Sequence, residues 1–461
     1  MTWKDDADFE RKLTESLDDV VPGEESLQTI NPWHIPISHI TLGLVLTSIT
    51  LNFFYLQYIL PVVGMGLLYA GLRSFKSENR YFTAAWVLSA VRLALQAAWL
   101  VFAATPWLSW LEGSLPLSLF FIALELALFL LFRAALSEVY CRAGEKPPHD
   151  PMLMASVWLV LLTLCGLTPL GSSWLAIVPL FIFFLFVARA IYRVGEELGD
   201  AGYCLTPTPV KISSTVTVWG YAALCLMLAL VCSTISSHAV PHVEERPTIT
   251  ESDTRERLRT MGFPADVLTD VSDEDVTMLT DAVRIEVFDE VLKMPDGHKL
   301  ATSSVYIQTP DRTMYILNYF CWQEGGAYWN DGFIIKNTQD MELVSGALLY
   351  SKNGVNYAAQ VPRLTCEAKT REDWFFGSSI DQMISGGVCY PFGAKEQRGY
   401  IFYRLNLDHD WVNGNEMFNY AHAAIPFEMP FEYAEQGMLT GKRRFQQHLG
   451  MFQLLPPDQL E

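Results

Sequence analysis

Two ionisable residues interrupt stretches that are otherwise apolar: Arg92 within residues 82–104 and Glu125 within residues 115–137. A charge at the centre of a bilayer costs about 2.5–3.5 kcal/mol on insertion scales, so such residues pair with one another or line a cavity. The two stretches read as a hairpin around a loop near residue 109. Arg92 precedes that turn by about as much as Glu125 follows it, so the pair is expected at one depth, facing the bundle interior. Gln96, one helical turn from Arg92, shares the site. Such a pair either fixes hairpin packing or marks a proton or substrate path.

Other chemistry is sparse. There is no Walker loop, no His-Glu-x-x-His and no Gly-x-Ser-x-Gly, so no catalytic residue is assigned and the chain is read as non-enzymatic. Asp408, His409 and Asp410 are adjacent, but consecutive strand residues point to opposite faces; a surface loop is the simpler reading, and no metal or cofactor is expected. Aromatic residues are dense after residue 318. Trp329 and Trp411, beside Asp331, Asp408 and Asp410, are the candidates for an exposed ligand face of the kind that stacks on sugars, with a cell-wall glycan as one ligand. Three of the eight cysteines, Cys321, Cys366 and Cys389, fall in this same part of the chain. An oxidising compartment permits a disulfide between two of them; buried thiols in a β core are the alternative.

These residues are positioned by long apolar segments. Spanning a bilayer takes about 20 apolar residues per helix. Residues 82–104, 115–137, 152–169, 173–193 and 213–234 meet that requirement. Residues 38–73 exceed it and are expected to split near Gln57, where Pro61, Gly64 and Gly66 follow, into spans 38–56 and 58–73. That makes about seven spans, or six if 38–73 is one kinked helix. Arg73, Lys76 and Arg80 occupy one loop, Arg133, Arg142 and Lys146 surround another, and Arg193 and Lys211 flank a third; the loops at 105–114 and 169–173 carry no Lys or Arg. Positive loops stay in the cytoplasm, which places the N-terminus inside and everything beyond about residue 236 outside.

The formal net charge of −19 is concentrated at the two ends, roughly −6 in the first 37 residues and roughly −14 in residues 241–461. That balance argues against a nucleic-acid partner. The N-terminus does not read as a cleavable signal peptide, so the first spans are expected to direct insertion. Residues 3–20 pattern either as an amphipathic helix, with Trp3, Phe9, Leu13 and Leu17 near one face, or as a solvated tail.

Several short runs carry a resemblance. Asn31-Pro32-Trp33, Leu51-Asn52-Phe53-Phe54, Tyr58-Ile59-Leu60-Pro61, Gly71-Leu72-Arg73 and Glu78-Asn79-Arg80-Tyr81-Phe82 resemble a group of uncharacterised multi-span membrane proteins of anaerobic Firmicutes. Met261-Gly262-Phe263-Pro264 and Ser272-Asp273-Glu274-Asp275-Val276 are similar to the same group. The resemblance implies a bacterial plasma-membrane protein. It has no assigned activity to carry over, and so no site residue.

Beyond a polar linker at 235–250, Asp253 or Thr254 is expected to cap a helix that Gly262 ends. Ser272 with Asp275 forms a capping-box pattern for a helix to about 282. From 283 the periodicity becomes two. Runs 283–293 and 300–309 meet at Pro295-Asp296-Gly297, and runs 341–351 and 355–361 meet at Asn353-Gly354. In 399–407, Ile401, Tyr403, Leu405 and Leu407 face one way, Tyr400, Phe402 and Arg404 the other. Frequent turns between short strands point to a β-sandwich, and residues from 441 on read as a short helix or a tail.

The expected organisation is an acidic cytoplasmic tail (1–37), an α-helical polytopic membrane domain (38–234), a linker (235–250), a helical module (251–282), an all-β, sandwich-like extracytoplasmic domain (283–440) and a C-terminal tail (441–461). The expected function is that of a bacterial envelope protein whose outer domain binds a partner or ligand while the bundle anchors it or relays binding. The alternative is a transporter, or an accessory subunit of one, using the Arg92 and Glu125 site. The lipid bilayer and other membrane or envelope proteins are the expected partners.

Overall fold

The computed structural model describes residues 32–49, 53–111, 113–144, 149–200, 203, 208, 211–311, 313–327, 329–337, 339–373, 377–406 and 412–454. The expected helix over 3–20, Leu407 and the Asp408–Asp410 run lie outside them. The chain divides into two compact units, Met1–Phe102 with Ser109–Ala229, and Ala103–Leu108 with Leu230–Glu461.

The first unit is helical: α1 (His34–Ser48), α2 (Leu56–Phe75), α3 (Arg80–Ala103), α4 (Leu115–Ala143), α5 (Pro151–Gly166), α6 (Trp174–Asp200) and α7 (Ser214–Ser237). Five of these, α2, α3, α4, α6 and α7, are long and apolar enough to cross a membrane. The helices α1 and α5, with 15 and 16 residues, reach only about 22–24 Å at 1.5 Å per residue.

The long stretch 38–73 breaks earlier than its prolines and glycines suggest. The break precedes Leu56, where Phe54 and Tyr55 take left-handed φ values of 49° and 60°, and Pro61 sits inside α2. Gly64 serves as a contact rather than a breaker. A Cβ on Gly43 would lie 2.7 Å from the Gly64 carbonyl oxygen, and one on Gly71 would lie 2.7 Å from that of Pro36. Small residues thus let the backbones of α1 and α2 touch, as close-packed helices in lipid require. The unit's core gathers Trp33, Phe75, Phe82, Phe132, Trp158 and Phe184. The Trp33 and Trp158 indoles donate to the carbonyls of Tyr203 and Leu180, so neither buries an unpaired N–H.

The second unit opens with strand β1 (Val243–Glu245) and three short helices, α8 (Asp253–Thr260), α9 (Ala265–Leu268) and α10 (Asp273–Met278). Ser252, not Asp253 or Thr254, caps α8, its hydroxyl accepting from the Arg255 N–H at 3.3 Å. Ser272 caps α10 by the same bond to Asp275 N–H, and Gly262 takes φ +96° just past the end of α8, a left-handed turn that glycine adopts without strain.

Eleven further strands follow: β2 (Arg284–Lys293), β3 (Lys299–Gln308), β4 (Met314–Glu324), β5 (Asp331–Asn337), β6 (Asp340–Lys352), β7 (Val355–Gln360), β8 (Thr365–Asp373), β9 (Gly377–Val388), β10 (Lys395–Asn406), β11 (Val412–Ala421) and β12 (Gln446–Leu454); helix α11 (Ala434–Leu439) lies between the last two. They form a seven-stranded sheet, ordered β1-β7-β6-β10-β4-β3-β2, and a five-stranded sheet, β12-β11-β5-β9-β8. Every pairing is antiparallel. The Asn353-Gly354 turn has φ values of 54° and 81°, the doubly left-handed geometry that matches strand twist.

Residues of both sheets share one core, with Ile316 and Phe320 of β4 and Ile401 and Tyr403 of β10 meeting Phe333, Ile384 and Phe418. The intervening residues Leu317, Tyr319, Tyr400 and Phe402 are also buried, under Leu258, Phe263, Val267 and Leu268 of the helical module. The large sheet is therefore covered on both faces where the module lies. Inside the sandwich core, Glu416 of β11 is fully buried. Its carboxyl group accepts from the Tyr306 and Tyr403 hydroxyls and the Asn318 amide, so one side chain from the small sheet is held by three strands of the large one.

Residues 446–454, read from sequence as helix or tail, form β12 and pair with β11 along its length. The strand presents His448, Gly450 and Phe452 inward while Leu449 and Met451 are exposed. Only Phe452 of the inward set is apolar while two apolar residues face out, so the apolar-in pattern by which a strand is recognised is broken. A Cβ on Gly450 would fall 1.8 Å from the Tyr306 hydroxyl, so the glycine makes room for the polar group bound to Glu416.

Candidate functional site

Two clusters of ionisable residues stand out, one in each unit. In the helical unit Arg92 of α3 and Glu125 of α4 lie with Nη2 and Oε2 3.1 Å apart, the side chains 7% and 23% exposed. Arg92 and Gln96 are four apart on one face of α3. They line a cavity of about 410 Å³ together with Met65, Trp99, Ser118 and Glu125. Arg92 Nη1 is buried and makes no hydrogen bond among the described residues, so this guanidinium keeps one donor turned into the protein.

Loss of one partner strands the other charge, whereas replacing both by apolar residues is near neutral for a buried pair. Arg92→Leu is therefore expected to cut the folded yield from membranes several-fold. The double variant Arg92→Leu/Glu125→Leu is expected to restore it. Size-exclusion profiles of detergent extracts read this out; a double variant no better than the single one would show that the two residues act separately.

In the second unit Asp331 opens β5 and is fully buried. It does not stand on an open face beside Trp329, as the sequence suggests. It faces inward because it shares a face of β5 with Phe333 and Ile335, which fill the sandwich core. Its Oδ1 accepts from the Ala423 N–H at 2.8 Å, and its Oδ2 from the Tyr420 hydroxyl at 3.1 Å. The same Oδ2 lies 2.8 Å from Nδ1 of His422, whose other nitrogen, Nε2, lies 3.0 Å from Asp296 Oδ2. Asp296 Oδ2 is also 2.7 Å from His298 Nδ1. The hairpin turn between β2 and β3 thus delivers Asp296 and His298 to the residue that follows β11.

Each part is held in place. Met294 and His298 close the turn through Met294 N–H to His298 O, 2.9 Å, and the His298 N–H donates to Asp296 Oδ1 at 3.0 Å. The Trp322 ring lies 4.9 Å from the His422 ring. Gly325 leaves space for His298, since a Cβ there would lie 2.3 Å from the imidazole. Burial disfavours the charged His422 ring, but its bonds to Asp331 and Asp296 outweigh that and raise its pKa above the ordinary histidine value. Burial likewise opposes ionisation of Asp296, while the His298 N–H and the His422 ring together hold its pKa below the usual carboxylate range. One oxygen of Asp296 and one nitrogen each of His298 and His422 lie within 4.8 Å of one another, a donor set for a metal ion where the sequence reading expects none.

Trp329 is half-buried, its ring 5.5 Å from that of His238, and Trp411 lies outside the described residues. Cys321, Cys366 and Cys389 are free thiols on separate strands or loops. Cys366 is exposed on β8, and burial raises the pKa of the Cys321 thiol above its ordinary value. The residues missed in the sequence are Asp296, His298 and His422. A signal for the first two was present in the Asp-x-His spacing at a turn; nothing local points to His422, more than 120 residues away. The chain matches no protein-family model, and a search of curated proteins finds no relative.

Proposed function

We propose that this is a multi-span protein of a bacterial plasma membrane whose helices hold a β-sandwich binding domain on the extracytoplasmic side. The observation that carries this reading is the joining, in one chain, of five helices able to cross a membrane to a sandwich with a cluster of aspartate and histidine donors at one end. Counting α1 and α5 with the five long helices gives seven crossings. The Lys and Arg of alternate loops then put the N-terminus in the cytoplasm and the sandwich outside. The helices anchor the domain or relay its occupancy, and envelope proteins or wall glycans are the partner classes.

Protease applied to wall-stripped cells is expected to digest the sandwich and remove a C-terminal tag while a tag at residue 1 survives. Survival of the C-terminal tag with loss of the N-terminal one would reverse the orientation and end this reading.

A second reading, transport or service to a transporter, is favoured by one observation. Arg92, Gln96, Ser118 and Glu125 line one side of a largely apolar cavity, a placement that an intramembrane anion or proton site would use. Uptake into proteoliposomes that is lost in Arg92→Leu/Glu125→Leu, at wild-type yield, would move the assignment to transport.

A further inference from the structure

We propose that Asp296, His298 and His422 form a binding site for a divalent first-row transition ion of the zinc type, the ligand of the binding domain assigned above. The proposal rests on that assignment for its biological setting and on the local geometry for its chemistry.

Two imidazoles and a carboxylate are the donor set of open zinc sites, which take three protein ligands and leave one position for water or substrate. Zinc bonds of about 2.0–2.1 Å place neighbouring donors of a tetrahedron about 3.3 Å apart. Asp296 Oδ2 now lies 2.7 Å from His298 Nδ1 and 3.0 Å from His422 Nε2, and all three atoms fall within 4.8 Å. A zinc ion would need the two carboxylate contacts to lengthen to about 3.3 Å and the two imidazole nitrogens, now within 4.8 Å, to settle at about the same spacing.

The supporting shell is also in place. Metal-bound histidines hand their second nitrogen to a carboxylate, which fixes the ring and strengthens the bond to the metal. Asp331 does this for His422: it is fully buried, it holds Nδ1 at 2.8 Å, and it is itself tied by Tyr420 and Ala423. The Asp296 and His298 side chains are 20% and 35% exposed, while His298 Nδ1 and the His422 ring are buried, so the site lies just beneath the surface. Both carboxylates balance the charge of a divalent ion. Metal binding needs both donor nitrogens bare, so a proton shared between Asp296 and His422 Nε2 leaves to water, and one shared with His298 Nδ1 leaves to water or moves to that ring's Nε2. Calcium and magnesium are disfavoured, because they call for six or more oxygen ligands.

The test uses the full-length protein in detergent, stripped with chelator and titrated with Zn²⁺ by calorimetry, and with Co²⁺ to read coordination from its d–d absorption. One Zn²⁺ per chain is expected, with tetrahedral or five-coordinate Co²⁺ bands, a raised Tm on zinc addition, and no response to Ca²⁺. His298→Ala and Asp296→Asn, at the solvent edge of the cluster, are expected to weaken binding at least tenfold while leaving the metal-free Tm near wild type. His422→Ala is expected to abolish binding, and the two edge variants keep the test decisive if that core variant does not fold. No binding by the wild-type protein, or binding unchanged in both edge variants, overturns the site. Because the titration uses purified protein, it can fail while the protease assay upholds the outward binding domain, and the reverse is equally possible.

Discussion

Glu416→Ala is expected to destabilise the β-sandwich by about 3–6 kcal/mol, with loss of the cooperative unfolding transition near physiological temperature. The physical reason is the number of groups left behind. Tyr306, Tyr403 and Asn318 all donate to this one carboxyl group, and a buried polar group stripped of its partner costs about 1–3 kcal/mol. Burial, and next the Glu416 carboxyl, push both phenols far above their ordinary pKa, so they stay protonated and cannot lower the cost by ionising. Glu416→Gln keeps one acceptor, and the phenol hydroxyls can rotate to receive the new amide protons, so its loss should be about half as large. Denaturant titration followed by tryptophan fluorescence is the measurement. An alanine variant that unfolds at the wild-type midpoint would show that the cluster does not join the two sheets energetically.

Asp270→Ala is expected to release the α8–α10 module from the large sheet at a cost of about 3–5 kcal/mol. Asp270 accepts from Arg246 Nη1 at 2.7 Å, from Arg398 Nε at 2.6 Å and from the Tyr319 hydroxyl at 2.8 Å. The two arginine side chains are only 13% and 15% exposed, so removing the carboxylate leaves two poorly solvated cations without their shared partner. Apolar contacts of Leu258, Phe263 and Leu268 with the sheet remain, which predicts local opening rather than global unfolding. Hydrogen exchange should rise by two orders of magnitude or more in residues 252–282 while the inner strands β4 and β10 keep their protection. Uniform loss of protection across the unit would mean instead that module and sandwich unfold as one.

Several elements are legible from local pattern. The five apolar runs become helices because a long apolar run satisfies its backbone groups within itself, but 152–169 yields only the 16-residue α5, short of membrane-crossing length, and its place among the five long helices is taken by α2. The Asn353-Gly354 and Pro295-Asp296-Gly297 turns close hairpins because Asn353, Gly354 and Gly297 take the left-handed backbone the reversals need. Arg92 and Glu125 come together because a short loop between two helices makes equal separations along the chain equal in depth. Where local pattern misleads, a neighbour is responsible. Gly64 reads as a breaker and is a helix contact, because Gly43 lies against it. β12 reads as a tail, because two of the residues it turns inward are not apolar and answer groups on β2 and β3: His448 Nδ1 lies 3.0 Å from Glu290, and Gly450 clears the Tyr306 hydroxyl.

Composition, apolar run length and turn residues are enough to separate a helical membrane part from a β-rich part, since these depend on neighbours only a few residues apart. The cluster of Asp296, His298, His422 and Asp331 is of another kind. Its members are scattered over more than a hundred residues: antiparallel pairing sets the end of β11 beside the start of β5 in the small sheet, and the packing of the two sheets over their shared core brings both to the β2–β3 turn of the large one. No window along the chain contains that proximity, because strand order in a sheet is set by which faces bury best against each other in space.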